Sequence, residues 1–452
     1  MVDDDRPQPG TGFRTAHAGR SGTVRGVLGE GGQGIVYATE CEGVELALKW
    51  YHEHVATLDR ELLARLTRAV DRGPPAPDFL WPIDIVTIPG RPSFGYLMEL
   101  RTPRFHGMKE LVAPPPRRLD LPLATRLIVC LRTTACFLRL HAAGFCYQDI
   151  NFGNLFFDPA TGDVRICDND NVDVDGAGGS VWGTRKFMAP EVVRRECLPC
   201  TATDLFSLAV LFFYVLTGWH PLDGRIEAET RVLDAATERR LYGDAPRFLF
   251  DPVDTSNGPV PGFHDGVAVR WALLGARLRD LFVRGFGPGL ADPARRIHEP
   301  EWLRVLSASV TAVQACPSCG AESVFEPDRD PTCPVCRRPR PVPPHLSIDR
   351  RTVVLGRDGG IPAPALEEID PPDFRALAGR VEAHPTRPGV FGIRNLGSRP
   401  WVATLPDRRR VEVAPSRTIV AADGLEIDFG GRRGRLHWPD PPFPNPRSEP
   451  SR

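Results

Sequence analysis

Asp149 and Asn154 stand five positions apart in Tyr147-Gln148-Asp149-Ile150-Asn151-Phe152-Gly153-Asn154, and Asp168 follows in Ile166-Cys167-Asp168-Asn169-Asp170. Two short apolar runs, Leu155 to Phe157 and Val164 to Cys167, lie between them, joined by the turn-forming Asp158-Pro159-Ala160-Thr161-Gly162. The pattern predicts a hairpin with an Asp and an Asn at one end and an Asp at the other. Three oxygen-bearing side chains gathered this way suit a hard divalent cation such as Mg²⁺ and a hydroxyl nucleophile. A second group offers different chemistry. Cys316-Pro317-Ser318-Cys319 and Cys333-Pro334-Val335-Cys336 are two CxxC knuckles with 13 residues between them. Four thiolates at this spacing can bind Zn²⁺ tetrahedrally, and a closed site leaves no open position for catalysis by the metal. Cys316, Cys319, Cys333 and Cys336 are therefore expected to hold a structural zinc. Cys197 and Cys200 form a lone CxxC and read as ordinary thiols.

The elements that must position the acidic loop can be read on either side of it. Thr23 to Leu28 reads as a strand, Gly29-Glu30-Gly31-Gly32-Gln33-Gly34 as a loop, and Ile35-Val36-Tyr37 as a second strand. β-Branched and aromatic residues after the glycines favour a strand–loop–strand hairpin over a helix start. Glycines let the backbone approach phosphate oxygens and donate N–H groups to them. Val44 to Trp50 is the next strand and carries Ala47 and Lys49. Leu58 to Val70 has helical spacing, with Leu62, Leu63, Leu66 and Val70 apolar and Glu61 on the same element. Phe79 to Ile88 and Ser93 to Leu100 read as strands. Leu121 to Ala143 is a long helix stopped by Gly144, and it leads straight into the acidic loop. The longest apolar run, Leu205 to Leu216, is too short to span a bilayer and reads as a buried helix. From Leu346 the chain is a series of short strands with regular turns, the pattern of a β-sandwich.

With 42% hydrophobic and 25% charged residues over 452 positions, the chain can bury cores in two to four domains. A net charge of −1 gives no basic excess for nucleic acid. The acidic start Met1-Val2-Asp3-Asp4-Asp5 lacks an apolar leader, and the cysteine count of 11 is odd, so a reducing cytoplasm and no membrane are expected.

Several ordered motifs together resemble a bacterial Ser/Thr protein kinase: the Gly29–Gly34 loop, Ala47-Leu48-Lys49, Met98-Glu99-Leu100, Asp149 with Asn154, Asp168, Gly183-Thr184 through Ala189-Pro190-Glu191, and Asp204 opening the apolar helix. The resemblance implies ATP and Mg²⁺ as cofactors and a protein Ser or Thr as substrate. Gly29, Gly31 and Gly34 would cover the phosphates. Val36, Ala47, Met98, Glu99 and Leu100 would surround the adenine. Lys49, paired with Glu61 (or Glu53), would hold the phosphates. Asn154 and Asp168 would hold Mg²⁺, Asp149 would take or orient the hydroxyl proton, and Thr184 would bond to Asp149. Asp204 would brace the loop backbone and Arg295 would pair with Glu191. The chain departs from the family at Gln148, where an Arg is usual, at Asn151, where a Lys is usual, and at Asp168-Asn169-Asp170, where Asp-Phe-Gly is usual. With a neutral Gln148 and only Ser180 before Thr184 as acceptor, activity is not expected to need a phosphorylated activation segment.

The wording Asp149-Ile150-Asn151-Phe152-Gly153-Asn154 and Cys167-Asp168-Asn169-Asp170-Asn171 is also similar to tellurite-resistance-associated kinases, which suggests a phosphatase and a von Willebrand-type protein as partners. Leu355-Gly356-Arg357, Asn395-Leu396-Gly397-Ser398 and Asp423-Gly424 resemble a forkhead-associated domain, with Arg357 at its phosphate-binding position. Arg399-Pro400-Trp401 stands where that family carries a peptide-gripping Asn, so a degenerate phosphopeptide module is implied. The expected fold class is α+β. A disordered tail (1–18) precedes a two-lobed kinase (19–308; N-lobe 19–100, C-lobe 101–308). A zinc ribbon with a Pro-rich linker (309–345), a forkhead-associated-like all-β sandwich (346–440) and a disordered tail (441–452) follow. Two other readings fit the same residues. One is a pseudokinase scaffold that binds nucleotide weakly or not at all. The other is a small-molecule phosphotransferase of the aminoglycoside kinase type, against which Ala189-Pro190-Glu191 argues.

Overall fold

The computed structural model describes residues 6–114, 116–175, 182–356, 359–367 and 372–440. The chain divides into two compact units, Met1–Asp120 with Thr133–Gly258 and Arg284–Glu299, and Leu121–Arg132 with Pro259–Val283 and Pro300–Arg452.

In the first unit, alternation of apolar and polar residues builds a closed antiparallel barrel. Its strands are β1 (Gly12–Thr15), β2 (Ser21–Glu30), β3 (Gly34–Cys41), β4 (Val44–Tyr51), β5 (Asp84–Thr87) and β6 (Phe94–Glu99), in the order β1-β2-β3-β4-β6-β5. Phe13, Val24, Ile35, Tyr37, Leu48, Trp50, Val86 and Leu97 fill one of its cores. The expected disordered tail over 1–18 is therefore overturned for the described part. Gly12–Thr15 pairs with both β2 and β5, and Phe13 and Thr15 point inward. Closing the barrel satisfies strand edges that would otherwise be open. Gly34 is required by a close approach, since a Cβ there would lie 2.2 Å from the Trp50 carbonyl oxygen.

The helix expected over Leu58 to Val70 begins later, as α2 (Leu62–Arg72), and a separate short helix, α1 (Glu53–Leu58), ends where it was to begin. Asp59 breaks the run: its carboxylate accepts the Glu61 N–H at 3.2 Å and pairs with Arg65 at 2.7 Å. α2 buries Leu62, Leu66 and Ala69. Further along come β7 (His106–Gly107), α3 (Leu123–Ala142), β8 (Phe145–Cys146), β9 (Leu155–Phe157), β10 (Val164–Ile166) and β11 (Asp173–Val174). Gly144 ends α3 with φ +79°, the left-handed conformation that stops a helix. β9 and β10 form the expected antiparallel hairpin, Leu155 opposite Ile166. α4 (Pro190–Val193) precedes α5 (Thr201–Thr217), whose side chains are buried almost throughout. An apolar helix buried all round is the post on which surrounding loops are fixed.

In the second unit, β12 (Val313–Ala315) and β13 (Glu322–Val324) make a short hairpin beside the CxxC knuckles. The strands that follow are β14 (His345–Ile348), β15 (Arg351–Val354), β16 (Gly360–Pro362), β17 (Leu377–Ala383), β18 (Phe391–Asn395), β19 (Trp401–Thr404), β20 (Arg410–Val413), β21 (Thr418–Val420), β22 (Glu426–Asp428) and β23 (Arg433–His437). They form a six-stranded sheet, β15-β14-β23-β22-β19-β20, and a four-stranded sheet, β16-β17-β18-β21. Both sheets contribute to one core, including Leu346, Val353, Ile361, Val381, Ile393, Trp401 and Ile427, which is the packing of a sandwich. Asn395 is fully buried, and its amide donates to the Arg399 and Val413 carbonyls at 2.8 and 2.9 Å, so it ties two turns together. Among the described residues no helix is long and apolar enough to cross a membrane.

Candidate active site

The acidic loop is held from below by a carboxylate. Asp204, in the first turn of α5 and 1% exposed, accepts the Tyr147 and Gln148 N–H groups at 2.5 and 3.0 Å. These bonds fix Gln148 at φ +72°, a strained conformation for a residue with a side chain. Asp204 is in turn bonded by His141 at 3.1 Å, and the other ring nitrogen of His141 meets Glu299. Burial alone would lower the His141 pKa, but hydrogen bonds and charge from Asp204 and Glu299 outweigh it and raise it from 6.5 to about 9.

The backbone so anchored presents Asp149. The Thr184 hydroxyl donates to its Oδ1 at 2.7 Å. The side-chain amides of Asn151 and Asn154 donate to its carbonyl at 3.2 and 2.9 Å, and Asn151 also donates to Thr184 Oγ1 at 3.0 Å. Asn151 thus brackets the Asp149–Thr184 pair. Gln148 turns inward, 7% exposed, and donates weakly to Cys146 Sγ. Ser180, the one hydroxyl before Thr184 on which activity is not expected to depend, lies outside the described residues.

Lys49 is 5% exposed, and its ammonium meets three acceptors. They are Gln33 Oε1 at 2.9 Å, Asp168 Oδ1 at 2.6 Å and Asp170 Oδ2 at 2.8 Å. Burial would push the lysine pKa down, but the charges of Asp170 and Asp168 raise it well above its usual value. Asp168 adopts φ +57° and is 37% exposed, leaving it open on one side. Burial raises its pKa against the opposing pull of Lys49. The expected partner Glu61 is not at this site. Glu61 is exposed at the start of α2, Glu53 is exposed in α1, and among the described residues neither pairs with Lys49. The reason is helical phase: α2 turns Leu62, Leu66 and Ala69 inward, which places Glu61 off the buried face. That signal was present in the sequence.

Asn169 also departs from expectation. It is fully buried, and its amide donates to the Leu80 and Ile166 carbonyls at 2.8 and 3.1 Å, a polar tie in place of an apolar packing residue. Val36, Ala47, Met98, Leu100 and Cys167 belong to one apolar cluster beside Lys49, a surface suited to a flat aromatic base. Glu99 ends β6 exposed. A Cβ at Gly29 or Gly31 would meet nothing within 4 Å, so the loop has open space on its face. The donors fit a nucleotide with its cation: Asn154 and Asp168 offer oxygen ligands near a lysine and a glycine loop.

Glu191 forms a two-pronged ion pair with Arg296, both contacts at 2.7 Å, and not with the expected Arg295. Asp292 caps the turn Pro293–Arg295, which leaves Arg295 exposed and sends the extended, 4%-exposed Arg296 inward. In the second unit, the sulfurs of Cys316, Cys319, Cys333 and Cys336 lie within 4.8 Å of one another. Cys316–Cys336 and Cys319–Cys333 are each 3.8 Å apart. A tetrahedral zinc with bonds of about 2.3 Å requires sulfurs about 3.8 Å apart, so the cluster fits that ion. The two knuckles match in conformation, Gly320 and Arg337 following the second cysteine of each at φ +75° and +60°. Burial would raise the Cys316 pKa, but hydrogen bonds from the Ser318 and Cys319 N–H groups and from the Cys333 and Cys319 thiols together outweigh it and bring that thiol down to about 6. Arg357 lies outside the described residues.

Residues 127–248 match the family model described as "Protein kinase domain". The chain carries a protein kinase domain. It is similar to ribosomal protein S6 kinase alpha-6 of Danio rerio, 39% identical over 95 residues, 20% of this chain and 13% of that protein. It is also similar to CBL-interacting protein kinase 4 of Oryza sativa subsp. japonica, 29% identical over 153 residues, 32% of each chain. The human ribosomal protein S6 kinase alpha-2 is 37% identical over 98 residues, 21% of this chain and 13% of that protein. The chain thus spans between 13% and 32% of the length of these curated relatives.

Proposed function

We propose that this chain transfers the γ-phosphoryl group of ATP to a Ser or Thr hydroxyl of a protein. One observation carries the reading: Asp149, held out by Asp204, shares its carboxylate with the Thr184 hydroxyl, while Asp168 and Lys49 are in contact on the same unit. In this reading Asp149 accepts or orients the proton of the substrate hydroxyl. Thr184 and Asn151 keep its carboxylate facing the cleft. Lys49 places the phosphates, and Gly29, Gly31 and Gly34 close over them, with the adenine against Val36, Ala47 and Met98 and the backbone of Glu99 and Leu100. Asn154 and Asp168 would hold Mg²⁺, which, when bound, neutralises phosphate charge. Catalysis of this kind is positioning and charge compensation, so each part is worth orders of magnitude in rate. The four cysteines would hold a structural Zn²⁺, and the sandwich would serve regulation, with a phosphopeptide, a phosphatase or a von Willebrand-type protein as partner classes.

The test is ATP turnover by the full chain with Mg²⁺ and a protein acceptor. Asp149→Asn should lower kcat by about 10²-fold or more while leaving the melting temperature in place. Equal turnover by both proteins would remove Asp149 from the chemistry and the kinase reading with it.

A further inference from the structure

Asp170 is a charged group with no task in the transfer scheme above. Its side chain is 1% exposed, against 37% for Asp168. Oδ2 receives both Lys49 Nζ at 2.8 Å and the Tyr51 hydroxyl at 2.5 Å. Oδ1 is buried without a hydrogen-bond partner. Burying a carboxylate this deeply is compensated only by a cation in direct contact with it. Lys49 supplies that cation, and no other ion pair to Asp170 occurs among the described residues. The backbone explains how two acids reach one ammonium. Asp168 is left-handed, and Asn169–Asn171 is a tight 3₁₀ turn that folds Asp170 back beneath it. Asn169 pins that turn through Leu80 and Ile166. The helices α1 and α2 offer Lys49 nothing comparable, because Glu53 and Glu61 are both exposed.

We infer that Asp170 is the positioning residue that orients Lys49 toward the nucleotide phosphates, doing from the Asp168 loop what a helix carboxylate would otherwise do. Its catalytic meaning rests on the kinase reading; its hold on the lysine does not. The division of labour follows from exposure. Asp170 is the permanent counter-ion, and the more open Asp168 can turn to a cation without leaving Lys49 uncompensated in the interior. Lysine and metal ligand are then set by one loop.

The experiment compares full-length wild type with Asp170→Asn, Glu61→Gln and Asp149→Asn by two readouts. One is steady-state ATP turnover. The other is the pH dependence of covalent labelling of Lys49 by an adenosine carrying a 5′-sulfonyl fluoride, which reacts with the neutral amine alone. Asp170→Asn should lower kcat about 100-fold with a smaller change in the KM for ATP, because the lysine is misplaced more than lost. It should also speed labelling near neutral pH about tenfold or more, because a lysine with one carboxylate fewer gives up its proton more readily. Glu61→Gln should stay within about twofold of wild type in both readouts. Unchanged kcat and labelling in Asp170→Asn would overturn the inference, as would a loss in Glu61→Gln as large as that in Asp170→Asn. If Asp170→Asn does not melt cooperatively, Glu61→Gln decides: wild-type values support Asp170, and a tenfold loss refutes it. If wild type and Asp149→Asn turn over ATP alike, the kinase reading fails, and labelling still decides what Asp170 does to Lys49.

Discussion

Replacing His141 with Gln should change how stability depends on pH, by an amount the structure sets. The His141 ring lies between Asp204 and Glu299, with all three side chains nearly excluded from water (7%, 2% and 6% exposed). Solvent screening is therefore slight, and the shift of the imidazole from 6.5 to about 9 can be read almost in full. That shift corresponds to roughly 3 kcal/mol. Because the folded protein holds the proton more tightly than the unfolded chain, the contribution is fully present below pH 6.5 and is lost as pH rises through about 9. The stability difference between wild type and His141→Gln should therefore be largest near pH 6 and shrink by about 3 kcal/mol by pH 10. In a melt, roughly 6 to 12 °C of the difference should disappear over that range. A two-unit chain does not unfold in one step, so the transition is chosen as the one that Mg²⁺·ATP raises. Groups that titrate alike in both proteins cancel in the comparison. Parallel stability curves, or a gap that widens with pH, would refute the reasoning. The same network carries Asp204 and hence the Tyr147 and Gln148 amides, so wild-type activity should fall above about pH 9 with the loop's anchorage.

Arg296→Met leaves Glu191 buried without its partner and should cost about 3 to 5 kcal/mol, whereas the exposed Arg295→Met should stay within about 0.5 kcal/mol in chemical denaturation. Thr184→Ala should lower kcat about 10²-fold through the freed Asp149, and Ser180→Ala should keep near-wild-type rates; loss in Ser180→Ala restored by an acidic residue would contradict the argument from Gln148. Wild type should carry one zinc per chain and Cys316→Ser/Cys319→Ser none by elemental analysis, with new protease sensitivity near β12 and β13. Mg²⁺·ATP at millimolar concentration should raise the first melting transition, and no shift would favour an empty scaffold.

Much of this protein is legible without its structure because local chemistry and spacing carry the information. The glycine hairpin, Lys49 on its strand, the β9–β10 hairpin that carries Asp149, Asn154 and Asp168, and the buried α5 all follow from turn residues and periodicity within short windows. The paired CxxC knuckles are equally local, since each is a single turn. Partner choice among residues far apart in sequence was decided elsewhere. Glu61 and Asp170 are both acids near Lys49 along a plausible path; the apolar phase of α2 already marks Glu61 as outward, but only folding shows that a left-handed Asp168 tucks Asp170 under the lysine. Arg295 and Arg296 are neighbours of one type, and the Asp292-capped turn alone determines which one faces inward to Glu191. Gly12–Thr15 looks like tail because its strand pairing is supplied entirely by β2 and β5. Residue types and short-range spacing are properties of the chain, and they set which chemistry is available. Burial, and with it the strength of each charge pair, is a property of the packed whole, and it decided which acid holds the lysine.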